Sequence, residues 1–480
     1  MRSPSVTPRC DRPSGSMAML HRRDAMLRLG QVGLGALTLP TLLQAEVFTV
    51  RAAEPASRPL GRAKSCILVY LWGGPPQQDM WDLKPLAPLG IRSAFAPIAT
   101  VVPGIDVSEA LPLFARHTDK TAIIRSLTHD SNNHEPSVYR TLTGRVNNTL
   151  VVPRNQRNRN DAPNLGSVIS ACSPSGPLPA AITIPRPIGH SGVTYSGTHA
   201  GWLGARHDPF ETAAAADTPE QATHSMDLPP DLASTRLLGR RGLLRVLEDV
   251  DRRFDDLSAT RSLAACREQA LSLLTSSAAK QAFQLDQESP ETRDRYGRNE
   301  WGECFLMARR LVEAGTRLVT ISWMYIKADG KVANVWDNHG GTPGLNPSGF
   351  GMLKEPYCIP SLDRGFAALM DDLSQRGLLD DTLVAMFGEF GRTPLINKTD
   401  GRDHWGAVQS AVLAGGGIRG GQVYGSSDKD AAYPASNPVS PEDMLATIYW
   451  ALGVDPAREL LDAQGRPSRI IDGEPLTMLF

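Results

Sequence analysis

Residues 381–393 (DTLVAMFGEFGRT), followed closely by residues 401–405 (GRDHW), decide the predicted fold and its site. The apolar run TLVAMF is short and is bounded by a charged residue and a glycine, which predicts a buried strand. Glu389 stands where this strand opens into a loop, and Asp403 and His404 follow in the next loop. Ligands of parallel α/β sheets bind at the carboxyl ends of strands, and carboxylate oxygens with imidazole nitrogens suit zinc, manganese or iron. The stretch therefore indicates a metal site.

Two more predicted strands end in loops that carry carboxylates or an imidazole. The strand 65–72 (SCILVYLW) runs into a glycine-rich loop with Asp79. The strand 317–324 (RLVTISWM) precedes a loop with Asp337 and His339. If these loops lie at one edge of a parallel sheet, their side chains converge, and we expect one or two divalent ions there, zinc, manganese or calcium. The predicted metal ligands are Asp79, Asp337, His339, Glu389, Asp403 and His404.

Three of the four carboxylates also have a simpler structural interpretation. Glu389 could pair with Arg392, and Asp403 could pair with Arg402. Asp79 could cap the turn that follows it. For Glu389 or Asp403 alone the structural interpretation is the better one, and the metal interpretation is favoured by the agreement of several loops. For Asp79 the metal interpretation is favoured over the cap.

A polar loop behind the predicted strand 121–126 (TAIIRS) contains the candidate catalytic residues, which are Ser131, His134 and Ser137. A hydroxyl nucleophile must be activated by a base or a metal ion, and an imidazole titrates near neutrality. We therefore expect Ser131, Ser137 or a metal-bound hydroxide to act as the nucleophile. His134 would be its base, a further ligand or, alternatively, a structural loop histidine.

The alternation of strand and helix patterns along the chain predicts an α/β fold. We expect one doubly wound, mostly parallel central sheet flanked by helices, in a domain that spans residues 65–480. Helical apolar spacing over 237–257 and 262–284 predicts a helical segment at about 235–290, either a small lobe or part of the helical layer. The six scattered cysteines include no Cys-x-x-Cys pair, so they indicate neither a zinc knuckle nor a disulfide framework.

Composition and charge are those of an ordinary globular protein. The chain has 480 residues, of which 41% are hydrophobic and 21% are charged, and its formal net charge is −1. This length is enough for a sizeable core. The near-neutral charge gives no indication of nucleic acid or of an anionic membrane surface as a partner.

The first 45 residues have the pattern of a signal peptide. Charged residues that include Arg22 and Arg23 precede an apolar, Gly/Ala-rich run that ends near Ala45. The run is too short to span a membrane, which requires about 20 apolar residues, and the paired arginines indicate the twin-arginine route. We therefore expect export through the twin-arginine machinery to the periplasm or cell surface of a bacterium. Residues 46–64 would form a flexible lead-in, and no transmembrane segment is predicted in the mature chain.

Several motifs occur together in one order along the chain. They are GGPPQQDMWDLKP (73–85), NHEPSVYRTLTGR (133–145), WDNHGG (336–341), GEFGRTPLIN (388–397), GRDHW (401–405) and YPASNPVSPEDMLATIYWALG (433–453). With the leader, they resemble the uncharacterised bacterial family called domain of unknown function 1501, over nearly all of the mature chain. That family is similar to a branch of the alkaline phosphatase and sulfatase superfamily. The resemblance implies the doubly wound sheet and a metal-dependent hydrolase, but no particular substrate.

The sequence departs from the sulfatase pattern at three positions that matter for chemistry. Sulfatases carry Cys or Ser, then x-Pro-Ser-Arg, and later Thr-Gly-Arg. Here His134 stands at the position of the formylglycine precursor and Val138 at that of the arginine, so the resemblance implies that the formylglycine mechanism is not used. Glu389 matches the carboxylate of the Ser-Asp-His-Gly metal motif, whereas Phe390 takes the place of its histidine and cannot bind a metal.

Two functions of different classes follow from these patterns. The first is an exported metal-dependent hydrolase of phosphate or related esters, sulfate esters included, acting on a small-molecule or glycan ester. Two metals about 4 Å apart would then clamp the attacking and leaving oxygens. The second is a non-catalytic secreted binding or scaffold protein on a degenerate hydrolase fold, which the changes at His134 and Phe390 favour. An exported carbohydrate sulfatase of unusual mechanism is a weaker third interpretation, because the sulfate-binding residues are missing.

Overall fold

The computed structural model describes residues 60–147, 157–174, 176–190, 193–212, 239, 258–326, 332–462 and 464–480. The predicted leader, the lead-in up to residue 59 and, except for residue 239, the predicted helix 237–257 lie outside the described residues. Within the described ranges, no helix combines the length and the apolar character needed to cross a membrane.

An eight-stranded sheet forms the centre of the described part of the chain. Its strands are β1 (Ser65–Tyr70), β2 (Thr121–Leu127), β3 (Ala181–Ile184), β4 (Phe210–Glu211), β5 (Leu318–Ser322), β6 (Thr382–Phe387), β7 (Gln409–Gly415) and β8 (Gln422–Tyr424). Their order across the sheet is β8–β2–β7–β6–β1–β5–β3–β4. Five of the seven neighbouring pairs are parallel, and the two antiparallel pairs are those of β7 with β6 and with β2. The sheet is therefore mostly parallel, which confirms the predicted fold class.

Helices occupy most of the connections between these strands. They are α1 (Gln77–Met80), α2 (His134–Thr143), α3 (Leu165–Cys172), α4 (Ser258–Thr275), α5 (Ser277–Phe283), α6 (Pro290–Tyr296), α7 (Glu300–Glu313), α8 (Gly349–Lys354), α9 (Ile359–Gln375) and α10 (Pro441–Ala451). The predicted helix 262–284 is two helices, because the Ser276 hydroxyl accepts a hydrogen bond from the Ala279 amide and begins a new helix.

β1 packs against helices on both of its faces. Ile67 and Val69 belong to the core that includes α7 and α9, whereas Cys66, Leu68 and Tyr70 belong to the core that includes α2, α3 and α10. The alternation follows from the period of two in a strand, and all five side chains are at most 1% exposed. Burial on both faces explains why the stretch is apolar throughout, as expected of a central strand in a doubly wound sheet.

The sheet brings the candidate loops to one edge. β1 lies between β5 and β6 and is parallel to both, so that Tyr70 pairs with Ser322 on one side and with Phe387 on the other. β2 is antiparallel to β7, which is antiparallel to β6, so β2 runs in the same direction as β6. The loops that follow β1, β2, β5 and β6 therefore leave the same edge of the sheet, as the sequence predicts.

Candidate metal centre

The carboxylate of Asp337 lies at the centre of the candidate site and contacts four side chains. Its Oδ1 atom lies 2.9 Å from His404 Nε2 and 2.7 Å from Arg392 Nη2. Its Oδ2 atom lies 3.2 Å from His339 Nε2 and 3.4 Å from His134 Nε2. The Asp337 side chain is 13% exposed, so the carboxylate is largely shielded from solvent. One carboxylate therefore joins three imidazoles and a guanidinium.

Three loops at the edge of the sheet deliver these side chains. His134 is the first residue of α2, directly behind the loop that follows β2. Asp337 and His339 lie in the loop after β5. Arg392 and His404 face each other in a short antiparallel ribbon that follows β6. The carboxyl edge of the sheet thus assembles a site from segments that are far apart in the sequence.

Glycines at positions 73 and 74, directly after β1, let these loops approach one another. Both have positive φ angles, 122° and 90°. A Cβ atom on Gly73 would overlap the backbone at Asp337, and one on Gly74 would overlap the Phe390 ring. The two glycines therefore allow the close packing on which the site depends.

Two of the imidazoles are oriented by backbone carbonyl groups. His404 Nδ1 lies 3.0 Å from the oxygen of Asn132, and His339 Nδ1 lies 2.7 Å from the oxygen of Gly340. Because a carbonyl oxygen only accepts hydrogen bonds, Nδ1 carries a proton in both rings. In its neutral form each ring then presents the lone pair of Nε2 to the Asp337 carboxylate.

His134 is oriented in the same way by Glu389. Its Nδ1 lies 2.7 Å from Glu389 Oε1, which also accepts a hydrogen bond from the Gly73 amide at 2.9 Å. Metal-binding histidines commonly donate their other ring N–H to a carboxylate or a carbonyl group. Glu389, expected as a metal ligand, is fully buried and lies behind His134 rather than among the atoms that face Asp337. We therefore leave Glu389 out of the proposed ligand set.

The donor atoms around Asp337 are spaced as a shared cation requires. His134, Asp337 and His404 each offer one atom, and these three atoms lie within 4.8 Å of one another. Two ligand atoms that bind one ion at about 2.0–2.2 Å and at tetrahedral or octahedral angles lie about 2.8–3.6 Å apart. The separations of 2.9 Å between His404 Nε2 and Asp337 Oδ1 and of 3.4 Å between His134 Nε2 and Asp337 Oδ2 each fall in this range. The residues present therefore fit a divalent cation.

Protons hold the same cluster together when no metal is bound. Burial alone would lower the pKa of His134, but its hydrogen bonds to Asp337 and Glu389 outweigh burial and raise that pKa to about 9. The hydrogen bond to Asp337 also raises the pKa of His339. Burial would raise the pKa of Asp337, yet the Arg392 charge and the three imidazoles hold it well below its usual value. At neutral pH a metal ion would thus have to displace a proton from His134.

The structure does not bring Asp79 to this cluster. Its two carboxylate oxygens accept hydrogen bonds from the Arg402 guanidinium, at 2.8 and 3.2 Å, and both side chains are fully buried. The charge of Asp79 is therefore already balanced, which corrects the expectation that it is a metal ligand. Arg402 pairs with Asp79 and not with its sequence neighbour Asp403.

Asp403 also lies outside the cluster. Its Oδ1 atom accepts a hydrogen bond from the side-chain amide of Asn397 at 2.9 Å, and the residue is exposed. It directly precedes His404 in an extended segment, where neighbouring side chains point to opposite sides. Because His404 faces Asp337, Asp403 faces away, which corrects its expected role as a metal ligand.

Neither candidate serine reaches the cluster through its hydroxyl. Ser137 is fully buried, and its hydroxyl donates to the carbonyl oxygen of Ser131 at 3.3 Å. The Ser131 hydroxyl accepts a hydrogen bond from the Asn133 amide at 3.4 Å. His134 instead contacts carboxylates, so the expectation that it activates one of these serines has no support in the geometry.

Arg392 and Phe390 are both considered from the sequence, but the contacts through which they shape the site are not predicted. Arg392 contacts Asp337, although the sequence suggests Glu389 as its partner. The ring of Phe390 lies beside two imidazoles, with centroid distances of 5.0 Å to His134 and 4.6 Å to His404. The sequence feature that could have indicated both contacts is their position just after the predicted strand 382–387, at the edge of the sheet where the site lies.

Fold and site together define a doubly wound α/β protein with a histidine–carboxylate cluster at the carboxyl edge of its sheet. The family model described as "Protein of unknown function (DUF1501)" matches residues 63–480. The chain therefore belongs to this family, which confirms the resemblance seen in the sequence. No curated protein matches the chain.

Several solved structures are similar to the chain at low sequence identity. The phosphonate monoester hydrolase SpPMH from Silicibacter pomeroyi is 13% identical with a TM-score of 0.36, and the match covers 86% of this chain and 76% of that one. BT1596, a 2-O GAG sulfatase, is 10% identical with a TM-score of 0.38, over 87% and 74%. The C-terminal periplasmic domain of EcEptC from Escherichia coli, in complex with Zn, is 12% identical with a TM-score of 0.33, over 87% and 94%. Likenesses at this level do not identify a reaction or a substrate.

Proposed function

We propose that this chain is an exported metal-dependent hydrolase of phosphate or sulfate esters. The observation that supports the proposal is the common orientation of three imidazoles. His134, His339 and His404 each direct Nδ1 at an oxygen atom and turn Nε2 toward Asp337. A divalent ion bound in such a site polarises the ester and lowers the pKa of water.

Three residues of the cluster would hold the ion. They are His134, Asp337 and His404, whose donor atoms are grouped. Three protein ligands leave coordination positions for water and substrate, as catalytic zinc sites do and structural zinc sites do not. Two imidazoles and a carboxylate suit zinc or manganese better than calcium, which prefers oxygen ligands. We therefore expect the bound ion to be zinc or manganese rather than calcium.

His339 lies at the solvent-facing side of the cluster. Its side chain is 39% exposed, compared with 15% for His134 and 27% for His404. Its Nε2 atom lies 3.2 Å from Asp337, which orients the ring. An imidazole that a substrate can reach is placed to give a proton to the leaving oxygen of the ester. We therefore assign this proton transfer to His339.

Water rather than serine is the nucleophile in this proposal. The hydroxyl of Ser137 is buried against the backbone of Ser131, and neither serine hydroxyl reaches the histidines. Hydrolysis by water adds a hydroxyl to the phosphorus or sulfur atom and releases the alcohol, which gains one proton. The proposed substrate is a small-molecule or glycan ester.

A second candidate function is that of a non-catalytic secreted binding or scaffold protein. Phe390 favours it, because an apolar ring stands beside His134 and His404 where the superfamily motif places a histidine ligand. The ion would then be structural, and no ester would be hydrolysed.

Metal analysis combined with an ester screen tests the proposal. We expect the purified protein to contain a divalent ion and to hydrolyse a phosphomonoester, a phosphodiester or a sulfate ester. Activity should be lost after chelation and restored by zinc or manganese. A bound ion without turnover on any of these esters would favour the binding protein, and a protein that binds no ion would contradict the proposed metal centre.

Export is part of the proposal and depends on Arg22 and Arg23, which lie outside the described residues. Arg22→Lys combined with Arg23→Lys should leave the precursor in the cytoplasm, because the export machinery reads the arginine pair. Cell fractionation followed by immunoblotting measures this. Arg28→Lys, which lies outside the pair, is the control and should be exported normally. Normal export of the double variant would count against the twin-arginine assignment.

A further inference from the structure

The Arg392 guanidinium is fixed against one oxygen of Asp337. Its side chain is fully buried, and Nη2 donates to Asp337 Oδ1 at 2.7 Å. Its other hydrogen-bond acceptors are the backbone carbonyl oxygens of Gly73, Gly74, Trp336 and Arg402. A guanidinium that donates to five oxygens cannot turn away from Asp337 to admit another cation without breaking these hydrogen bonds.

The other carboxylates near the cluster are engaged as well. Both oxygens of Glu389 accept hydrogen bonds from the Gly73 amide, at 2.9 and 3.1 Å, and Oε1 also contacts His134. Asp79 is paired with Arg402. Over the described ranges, the one set of three close donor atoms is that of His134, Asp337 and His404. Among the residues that the structure describes, no second set of carboxylates is therefore free to hold a second ion beside the first.

Phe390 closes the space beside the two grouped imidazoles. The residue is fully buried, and its ring centroid lies 5.0 Å from that of His134 and 4.6 Å from that of His404. The guanidinium carbon of Arg392 lies 5.7 Å from the centre of the same ring. A benzene ring has no lone pair to offer a metal, so this side of the cluster cannot bind a second ion.

We infer that the site holds a single divalent ion, and that the fixed guanidinium of Arg392 supplies the positive charge that a second ion supplies in two-metal hydrolases. The inference rests on the proposed metal centre. It reduces the expected number of bound ions to one, whereas the sequence is consistent with one or two. A second ion would stand close to both the first ion and the guanidinium that pairs with Asp337, and like charges repel strongly in a buried site. Arg392 is a positioning residue, because each of its three nitrogen atoms donates to a protein oxygen and it acts through Asp337.

Electron paramagnetic resonance of the manganese-loaded protein tests this inference without an activity assay. The protein is stripped with a chelator, loaded with Mn²⁺ and freed of excess metal by gel filtration, and its manganese content is measured. We expect one Mn²⁺ per chain with the spectrum of a magnetically isolated ion. Two Mn²⁺ per chain with a spin-coupled spectrum, which indicates ions roughly 3.5–4 Å apart, would overturn the inference and leave the proposed hydrolase intact. A chain that binds no Mn²⁺ or Zn²⁺ would overturn the metal centre, and the inference with it.

Two variants separate the effect of the Phe390 ring from that of the Arg392 charge. Phe390→His adds a potential ligand beside the cluster but keeps the guanidinium, so the manganese content should stay at one ion per chain. Phe390→His combined with Arg392→Gln removes the charge as well and should raise the content toward two. A second ion in the single variant, or no increase in a folded double variant, would contradict the role assigned to Arg392.

A matched control is Phe390→His combined with Arg402→Gln. Arg402 is also a fully buried arginine paired with an aspartate, Asp79, but it does not contact Asp337. Its loss should leave the manganese content at one ion per chain. Thermal unfolding identifies which variants are folded. If the double variants do not fold, the manganese content and spectrum of the wild-type protein and of Phe390→His still decide the question.

Discussion

Asp337→Asn is expected to abolish metal binding and ester hydrolysis together. Asparagine keeps the size of the side chain but removes the charge that faces three imidazoles and the Arg392 guanidinium. The metal content should fall to background. Turnover should fall by more than the roughly 10²–10³-fold that the loss of one electrostatic stabilising group costs, because the ion is lost with the carboxylate. Metal analysis and an ester assay on the same preparation measure both effects.

Asp381→Asn is the matched control for this experiment. Asp381 directly precedes β6, at the opposite edge of the sheet, and its half-exposed carboxylate pairs with Lys64 at 2.7 Å. Its substitution should leave metal content and turnover unchanged. A folded Asp337→Asn protein that still retains its ion would show that Asp337 is not a ligand.

His134→Ala should remove the ion and lower turnover by about two to four orders of magnitude, the range for groups that act directly in catalysis. The ring of His134 lies 4.4 Å from that of His404, and its two nitrogens face Glu389 and Asp337. Two roles of His134 can be separated. A ligand role predicts loss of the ion, whereas a role as a base alone predicts that the ion stays and the pH dependence of turnover changes.

His207→Ala provides the comparison for His134→Ala. His207 is half-buried and contacts Ser170 and Arg206, so the same loss of an imidazole occurs without a contact to the cluster. Metal content and turnover should stay at wild-type values in this variant. Unchanged metal content and turnover in a folded His134→Ala protein would mean that His134 is structural and that its alignment with the sulfatase nucleophile is misleading.

The sheet can be predicted from the sequence because its central strands are buried on both faces. The predicted strand 382–387 has the observed bounds of β6, and the predicted strands 65–72 and 121–126 differ from β1 and β2 by two residues or fewer. An apolar run that needs no polar alternation is a strong signal in a doubly wound fold. The helix boundaries are weaker signals, since α2 begins at His134, four residues before the apolar run 138–142 (VYRTL) that indicates a helix in the sequence.

The convergence of Asp337, His339 and His404 with His134 can also be predicted, because all four follow strands that end at one edge of the sheet. The same rule fails for Asp79. Its partner Arg402 lies 323 residues away, and nothing in the sequence around either residue indicates the pair.

The prediction of Asp403 as a metal ligand is wrong for a different reason, which can be read from the sequence. Asp403 and His404 are neighbours in an extended segment, so their side chains cannot both point at one ion. If the segment is extended, side chains at successive positions point to opposite sides, and only one of the two residues, here His404, can face the cluster.

The hydrogen bonds of Arg392 also determine when the site can form during folding. They tie the ribbon that carries His404 to the backbone of Gly74, 318 residues earlier in the chain. Contacts between such distant segments are slow to form because a long stretch of chain must be ordered to close them. The cluster is therefore completed only after the early and late parts of the sheet have met, and a nascent chain that ends before the ribbon would lack the binding site for the proposed ion. Acquisition of the metal would thus mark a finished fold.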